Sequence, residues 1–305
     1  MSFNLLFSTF ANNILPIILI SGAGFLLGKL ITVDSRTLGR VIFYLFSPLL
    51  IFDLLLKSKL DYQQAVTTVA YTATVITTLG LLAFLLGKLL RLERPMLLAV
   101  IITVGFGNTG NYGLPLVSFA FGEQALAYAS IYFVTTTILL NTAGVLIASL
   151  GHTDFKTALL GLFKLPIVYA VILALLLNRT GVILPAPLIR TIELAAGGSI
   201  PLMLVLLGLE LTRVEWTNNM RALGLGAFLR LLAGPIVGIL LTKVYNIHGA
   251  ARNGSILQAS MPTAVVTTVL ASEYNLEPSL VTAIVFAGTL FSPLTLTPLI
   301  VYLGR

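Results

Sequence analysis

Apolar runs recur along the whole chain and are separated by short groups of charged residues. A run of about 20 apolar residues crosses the roughly 30 Å hydrocarbon layer of a bilayer as one α-helix. Of the 305 residues, 57% are hydrophobic and 10% are charged, whereas roughly a quarter are charged in an ordinary soluble domain. A soluble fold could not bury so much apolar surface. The sequence therefore predicts an all-α polytopic membrane protein.

Charged groups and Pro- or Gly-rich breaks delimit ten predicted transmembrane helices. They are expected at roughly residues 8–29, 38–56, 64–90, 96–121, 125–150, 158–178, 187–211, 219–245, 249–272 and 277–303. The N-terminal stretch "MSFNLLFSTFANNILPIILI" has neither the basic region nor the cleavage signature of a signal peptide, so we expect it to form the first span. The polar joint "GHTDFK", residues 151–156, divides the ten helices into five and five.

The two halves resemble one another weakly. Matching positions lie near an offset of about 150 residues: Pro48 and Pro201 (153), Glu123 and Glu277 (154), and Pro115 and Pro262 (147). Because each half contains an odd number of crossings, the second copy enters the membrane from the opposite side, as in the inverted repeats of transporters. The sequence thus predicts two inverted five-helix repeats, at residues 1–150 and 151–305.

The lysines and arginines predict an orientation, since cytoplasmic loops carry an excess of them. Ten lie in the loops after spans 1, 3, 5 and 7: Lys29, Arg36, Arg40, Lys88, Arg91, Arg94, Lys156, Lys164, Arg213 and Arg221. Seven lie on the other side: Lys57, Lys59, Arg179, Arg190, Lys243, Arg252 and Arg305. Both termini are therefore expected outside. We interpret the lysines and arginines behind the net charge of +7 as topology anchors, and not as a surface that binds nucleic acid.

Two predicted spans are interrupted. "GFGNTGNYGLPL", residues 105–116, and "LQASMPTAVVTT", residues 257–268, put Gly, Asn and Pro inside apolar helices. Within a helix, Gly costs about 1 kcal/mol and Pro about 3 kcal/mol. Irregular backbone at membrane depth is tolerated only where protein buries it or where it lines a cavity. We therefore expect helices 4 and 9 to be broken and to cross each other near the midplane.

The predicted breaks define a substrate site. Pro115 and Pro262 suit the first turn of a new half-helix, and Ser260 suits an N-cap. The partial positive charge of a helix N-terminus attracts an anion. Neutral polar side chains and glycines beside the breaks complete the predicted substrate-binding set: Asn108, Thr109, Gly110, Asn111, Gly113, Gln258, Ser260 and Thr263. The alternative is that these residues merely permit kinks or close helix packing.

Two ionisable residues within predicted spans are further candidates, because charges at membrane depth are expensive and often functional. Asp53 lies one turn from Lys57, so it forms either an ion pair near the interface or a proton-coupling site. Arg230 lies nearer the middle of span 8. It could complement a substrate carboxylate or bind backbone carbonyls as a strut.

Other classes of function were weighed against a carrier. A membrane-embedded enzyme could use Ser199 in "GGSIP", but His152 and His248 both fall in loops and leave it without a catalytic partner. The chain has no Cys, hence no thiolate nucleophile or Cys-based metal site. We therefore expect no enzyme, no cofactor and no metal. An anion channel or a membrane-embedded sensor could use the same broken helices, and both alternatives stay open.

Four stretches resemble the auxin efflux carrier family: "SPLLIF" in span 2, "NTGNYGLPL" in span 4, "QASMP" in span 9 and "ASEYNLEPSLVTAIVFAGTL" leading through span 10. That family includes plant PIN-type auxin carriers and bacterial permeases for small carboxylates such as malonate or malate. The motifs occur in the family's order. The short central joint resembles that of the bacterial members, so the resemblance implies a bacterial cytoplasmic membrane as the expected location.

The resemblance implies a fold similar to the sodium/bile acid symporters and an elevator mechanism. Scaffold helices 1–2 (residues 1–60) and 6–7 (residues 157–212) would form a homodimer. Transport helices 3–5 (residues 61–150) and 8–10 (residues 218–305) would carry a small organic anion, a carboxylate or auxin-like acid. By motif, Asn108 would contact the substrate carboxylate, with Gln258 as a neighbour and Pro115 and Pro262 as the crossover prolines.

The chain departs from PIN-type carriers in span 3. Those carriers keep an acidic residue near the crossover, but the apolar part of this span, Ala65 to Gly87, contains no acid. Proton involvement through that position is therefore not expected. The sodium sites of the bile acid symporters are not matched either.

Overall fold

The computed structural model describes residues 2–149 and 160–304, and its backbone is helical apart from connecting segments. The helices are α1 (Phe3–Leu30), α2 (Ser35–Lys57), α3 (Tyr62–Leu89), α4 (Arg94–Gly105), α5 (residues 109–121), α6 (residues 123–148), α7 (Pro166–Thr180), α8 (Ala186–Arg213), α9 (Met220–Val244), α10 (Gly249–Ala259), α11 (Val266–Glu273) and α12 (Pro278–Leu303). Within those residues the only extended pairing is an isolated antiparallel bridge between Gly107 and Thr263. The prediction of an all-α protein is confirmed.

Gly122 separates α5 from α6 within one helical stretch of 40 residues, Thr109–Ala148. Its backbone has φ 71° and ψ −169°, a conformation outside the helical region. A side chain is strained at such a positive φ, whereas glycine has no Cβ to clash. The chain can therefore turn a corner there, and the segments on either side can run in different directions.

Seven helical stretches in the described part of the chain are long and apolar enough to cross a membrane: Phe3–Leu30, Ser35–Lys57, Tyr62–Leu89, Thr109–Ala148, Ala186–Arg213, Met220–Val244 and Pro278–Leu303. The chain is thus a multi-pass membrane protein. Shorter apolar helices, α4 and α7, accompany them. The count differs from ten for three reasons: spans 4 and 5 join through Gly122, α7 at the position of span 6 has only 15 residues, and predicted span 9 is interrupted. The central joint, residues 151–156, lies outside the described residues.

Prolines widen four of the helices. Each follows a π-helical turn: Pro16 after Phe10–Ile14, Pro48 after Ile42–Phe46, Pro115 after Thr109–Gly113 and Pro235 after Leu229–Ala233. A proline has no N–H for the carbonyl four residues earlier, and its ring clashes with that carbonyl. In each case the residue four positions earlier lies at the centre of the π turn, so the wider turn relieves the clash.

Glycines let two of the long helices pack backbone to backbone. A Cβ on Gly24 of α1 would overlap the carbonyl of Val205 in α8, and one on Gly208 of α8 would overlap the carbonyl of Ser21 in α1. Small residues allow this close approach where helices associate in a membrane. Elsewhere α7 packs on α2, α4 on α3, and α10 on α6. The last two pairs hold the interrupted helices in position.

Candidate functional site

The two interrupted helices meet through their broken segments. The first break, residues 106–108, joins α4 to α5, and the second, residues 260–265, joins α10 to α11. They run antiparallel, with the Asn108 amide donating to the Pro262 carbonyl (2.7 Å) and the Ala264 amide donating to the Phe106 carbonyl (3.0 Å). All residues of both breaks except Val265 are buried. Each break thus supplies partners for backbone groups that lipid could not satisfy.

Arg230 closes one side of this crossover. It lies on the π turn of α9 and is 1% exposed. Its Nε donates to the Met261 carbonyl (2.6 Å), Nη1 to the Val104 carbonyl (3.0 Å) and Nη2 to the Ala259 carbonyl (3.1 Å). Val104 lies in the last turn of α4, and Ala259 is the last residue of α10. The cation therefore sits where two helix C-termini converge, an arrangement that helix dipoles favour. Of the two sequence interpretations, the geometry supports the backbone strut.

Gln258 links the two interrupted helices on the other side. Its Nε2 donates to the Thr109 carbonyl (3.0 Å) at the start of α5 and to the Ala129 carbonyl (3.2 Å) in α6. The side chain is fully buried, yet its Oε1 has no hydrogen-bond partner. An unpartnered buried acceptor costs about 1–3 kcal/mol. Gln258 therefore carries a free acceptor into the crossover.

Asn108 carries the matching free donor. It is 5% exposed, and its Nδ2 is buried without a partner. Its main chain is fully used, since the carbonyl accepts from the Gly113 amide (2.9 Å) and the amide is bonded to Pro262. Although Asn108 precedes α5, its side chain makes no capping hydrogen bond. The side-chain amide is thus held at the crossover but is not used by the protein in this conformation.

The remaining polar residues of the predicted set are engaged with backbone. Thr263 donates to the Thr103 carbonyl (2.9 Å), and Ser260 donates to the Ile256 carbonyl (2.7 Å). The Thr109 amide donates to the Gly107 carbonyl (2.8 Å), and its side chain is buried. Asn111, one residue beyond Gly110 in α5, is half-buried. The structure therefore brings the predicted set together around one crossover.

Two local predictions about the second break were wrong. Ser260 follows the last residue of α10 as its C-cap, with φ −95° and ψ −1°, while Val265 occupies the N-cap position of α11. Pro262 lies within the extended break, and not in the first turn of a half-helix. Its carbonyl, which accepts from Asn108, is the group that matters. Pro115 lies six residues inside the second half-helix, so the two prolines are not at equivalent positions.

The glycines make room for protein side chains. A Cβ on Gly113 would overlap the Gln258 amide, one on Gly107 would overlap the Arg230 guanidinium, and one on Gly110 would press on the ring of Phe133. In this conformation those protein side chains fill the space beside the three glycines. The sequence reading missed Phe133 in this role.

A second missed contact joins α5 to α12, where the hydroxyls of Tyr112 and Ser292 are 3.1 Å apart in the buried interior. Ser292 precedes Pro293 in a strongly apolar span. A polar residue beside a proline was the available signal.

Asp53 lies away from the crossover. Its carboxylate pairs with Lys57 (2.7 Å), which also pairs with Glu193 of α8 (2.7 Å). Lys57 ends α2 and Asp53 lies one turn earlier, and both border a cavity of about 270 Å³ between α2 and α7. The ion-pair interpretation fits this geometry. That cavity is not the crossover, whose buried amides are the chemically distinctive feature.

Sequence comparison agrees with the architecture. The profile of the family described as "Membrane transport protein" matches residues 9–156 and 152–300. The chain belongs to this family. Its auxin efflux carrier membership, which the four motifs indicated, is thereby confirmed, and so is its assignment to a family of membrane transporters.

Relatives support this assignment. An uncharacterized transporter of Methanothermobacter thermautotrophicus is 27% identical over 88% of this chain and 89% of its own length. Another uncharacterized transporter, from Methanocaldococcus jannaschii, is 27% identical over 93% of this chain and 94% of its own. Auxin efflux carrier component 1 of Arabidopsis thaliana is 28% identical over 37% of this chain and 19% of its own.

Proposed function

We propose that the protein is a secondary transporter for a small organic anion, a carboxylate or auxin-like acid, which binds at the crossover. The observation that carries this proposal is the pair of unpartnered buried atoms, Asn108 Nδ2 and Gln258 Oε1. Native proteins leave few buried polar groups without partners, and those few often have a role. A bound polar ligand could supply the missing hydrogen-bond partners of this donor and this acceptor, which lie on two crossing segments.

The chemistry of the two atoms favours an organic acid. Asn108 Nδ2 would donate to a carboxylate oxygen, and a hydrogen bond to a charged group is worth about 1.5–3 kcal/mol. Gln258 Oε1 would accept from a hydroxyl, a protonated acid or a bound water. The N-terminal turn of α5, which begins directly after Asn108, adds a favourable dipole for the anion. Both atoms belong to uncharged side chains, so these two contacts to the anion would need no charged group of the protein.

For the architecture we propose ten crossings in two inverted repeats. Two contacts support a two-fold axis, because equivalent positions meet only near such an axis. Ser199 donates to the Phe46 carbonyl (3.0 Å), and these residues are 153 positions apart, the same offset as Pro48 and Pro201. Asn108 and Pro262, bonded to each other, are 154 apart. The first repeat would span residues 1–150 and the second residues 151–305.

We further propose an elevator movement. Residues 1–60 and 157–212 would form the scaffold and a homodimer, and residues 61–150 and 218–305 would move with the substrate. The crossover hydrogen bonds fit this division, since Arg230, Gln258 and Asn108 tie α4, α5, α9 and α10 into one unit. The orientation would place both termini outside. The activity would need no cofactor, metal or nucleic acid.

A channel using the same crossover is the main competitor. The burial of both free atoms favours a carrier, because a pore would keep polar lining groups in contact with water. Purified protein screened against mono- and dicarboxylates should show a higher apparent melting temperature with its substrate, since a ligand that binds the native state stabilises it. In proteoliposomes the same acid should show saturable uptake accelerated by counter-substrate. Non-saturating flux without counter-substrate dependence would make it a channel.

A further inference from the structure

A second cavity, of about 320 Å³, lies where α1 ends and α8 ends. Its walls include the connection between α1 and α2, and two cations, Lys29 and Arg213, line it together with the hydroxyl residues Thr32, Ser35 and Thr212. The cavity is separate from the crossover, since none of the crossover residues borders it. It therefore calls for an explanation of its own.

The two cations of this cavity make no direct ion pair within the described part of the chain. Throughout residues 2–149 and 160–304, no carboxylate lies within ion-pair distance of Lys29 or Arg213. The neighbouring acids Asp34 and Glu210 do not line the cavity. The Asp34 carboxylate accepts from the Thr37 hydroxyl (2.6 Å) and the Arg36 amide (3.1 Å), while Glu210 Oε2 is buried without a partner. Arg213 interacts electrostatically with both acids at longer range, and Lys29 Nζ lies 5.7 Å from the centroid of the Phe25 ring, but neither cation has a carboxylate at ion-pair distance among the described residues.

The cavity beside Asp53 provides an internal comparison. It occupies matching positions at an offset of 153, with Gly181 for Gly28 and Leu56 for Leu209. There the cation, Lys57, pairs with Asp53 and Glu193 at 2.7 Å each. At one end of the molecule the cation pairs directly with two carboxylates, whereas at the other end the nearest described acids, Asp34 and Glu210, make no ion pair with Lys29 or Arg213. The Lys29 cavity can therefore accept an anionic ligand as the direct partner of its cations.

We infer that the Lys29–Arg213 cavity binds the phosphate of an anionic phospholipid headgroup. Lysine and arginine with nearby hydroxyls suit phosphate oxygens, and basic pockets between membrane helices bind such headgroups. The adjoining residues Leu30 and Ile31 are 79% and 55% exposed, so apolar surface for acyl chains lies directly beside the cations. A lipid satisfies both surfaces, whereas a soluble phosphate compound satisfies only the charged one.

The test uses purified, delipidated full-length protein and measures apparent melting temperature and lipids retained in native mass spectrometry. Phosphatidylglycerol should raise the melting temperature of the wild type by about 2 °C or more, and phosphatidylcholine should not. The double variant Lys29→Gln/Arg213→Gln should lose this shift and bind phosphatidylglycerol about tenfold more weakly. The matched double variant Lys57→Gln/Arg190→Gln, with the same charge change at the other end, should keep both.

Several results would overturn the inference. These are equal stabilisation by the two lipids, retention of the shift in Lys29→Gln/Arg213→Gln, or an equal shift with glycerol 3-phosphate, which would assign the cavity to a soluble phosphate. If the double variant fails to fold, the charge-preserving swap Lys29→Arg/Arg213→Lys replaces it and should retain lipid selectivity. Loss of selectivity in that swap, with a folded protein, would also contradict a headgroup site.

Discussion

The two sides of the crossover differ in how completely their polar groups are satisfied. On the Arg230 side, one guanidinium meets three backbone carbonyls. On the amide side, Gln258 Nε2 donates two hydrogen bonds, but Gln258 Oε1 and Asn108 Nδ2 have no hydrogen-bond partner. Both sides are equally buried, so exposure to water does not explain the difference. The cation holds the broken backbone together, and the free amides are available for a ligand.

This contrast explains how a neutral site can sit beside a buried charge. Carbonyls at two helix ends and at Met261 already take up hydrogen bonds of Arg230, which favours a structural role over direct contact with an anion. The anion would then meet weaker, uncharged donors. Substitutions should therefore damage stability on one side and transport on the other.

Replacing Arg230 should give the largest loss of stability. Arg230→Met leaves three buried carbonyls without donors, and we expect a loss of about 3–5 kcal/mol. Thermal unfolding in detergent would measure it. Arg190→Met, an exposed arginine of α8, is the control and should change little. If Arg230→Met kept wild-type stability and lost only transport, Arg230 would belong to the substrate side.

Adding a methyl group at Gly113 should come next. Its Cβ would overlap the Gln258 amide, and such overpacking costs about 1–3 kcal/mol. Gly22→Ala in α1 is the matched control, since nothing lies within 4 Å of a Cβ there, and helix propensity should leave it neutral or slightly stabilised. Equal melting temperatures for the two variants would show that Gln258 does not occupy this position.

Replacing the two crossover prolines should have different effects on uptake. Pro262→Ala keeps the carbonyl that accepts from Asn108 and should cost only about 0.4–1 kcal/mol, through the unfolded state. Pro115→Ala lets the π turn beside Asn108 close to an ordinary turn, so uptake should fall further than in Pro262→Ala. Uptake and melting curves of both would be compared. A larger transport defect in Pro262→Ala would contradict this account of the turn.

Peripheral charges should have a smaller effect still. The Asp53 side chain is 16% exposed, but its partner Lys57 is 46% exposed, and ion pairs with a solvent-exposed partner contribute about 0–1 kcal/mol. Asp53→Asn should therefore lower stability by at most this amount and leave the pH dependence of uptake unchanged. A shifted pH profile in Asp53→Asn would instead support the proton-coupling interpretation of Asp53.

The sequence predicted the helical class, the two breaks and the residues that meet there, because Gly, Asn and Pro interrupt apolar runs in a visible way. It could not decide whether Arg230 binds backbone carbonyls as a strut or contacts a substrate carboxylate. That distinction depends on which carbonyls converge in space, and Val104, Ala259 and Met261 come from segments distant in sequence.

Local predictions were wrong where the same sequence pattern is compatible with two backbone geometries. Ser260 before a proline reads as an N-cap, but α10 ends there and α11 starts later. Pro115 reads as a helix start, but like Pro16, Pro48 and Pro235 it follows a π turn. A match of two prolines at an offset of 147 suggested equivalence, whereas the backbone pairs Asn108 with Pro262.

The most direct measurement compares Asn108→Ala with Asn141→Ala for uptake of the acid that most stabilises the wild type. Asn108 Nδ2 makes no hydrogen bond within the protein, so removal of the side chain loses no donor bond and should change stability by about 1 kcal/mol or less. Uptake should fall at least about tenfold. Asn141, whose Nδ2 donates to the Thr137 carbonyl (2.8 Å), should transport normally. Wild-type uptake by a folded Asn108→Ala protein would contradict a substrate site at the crossover.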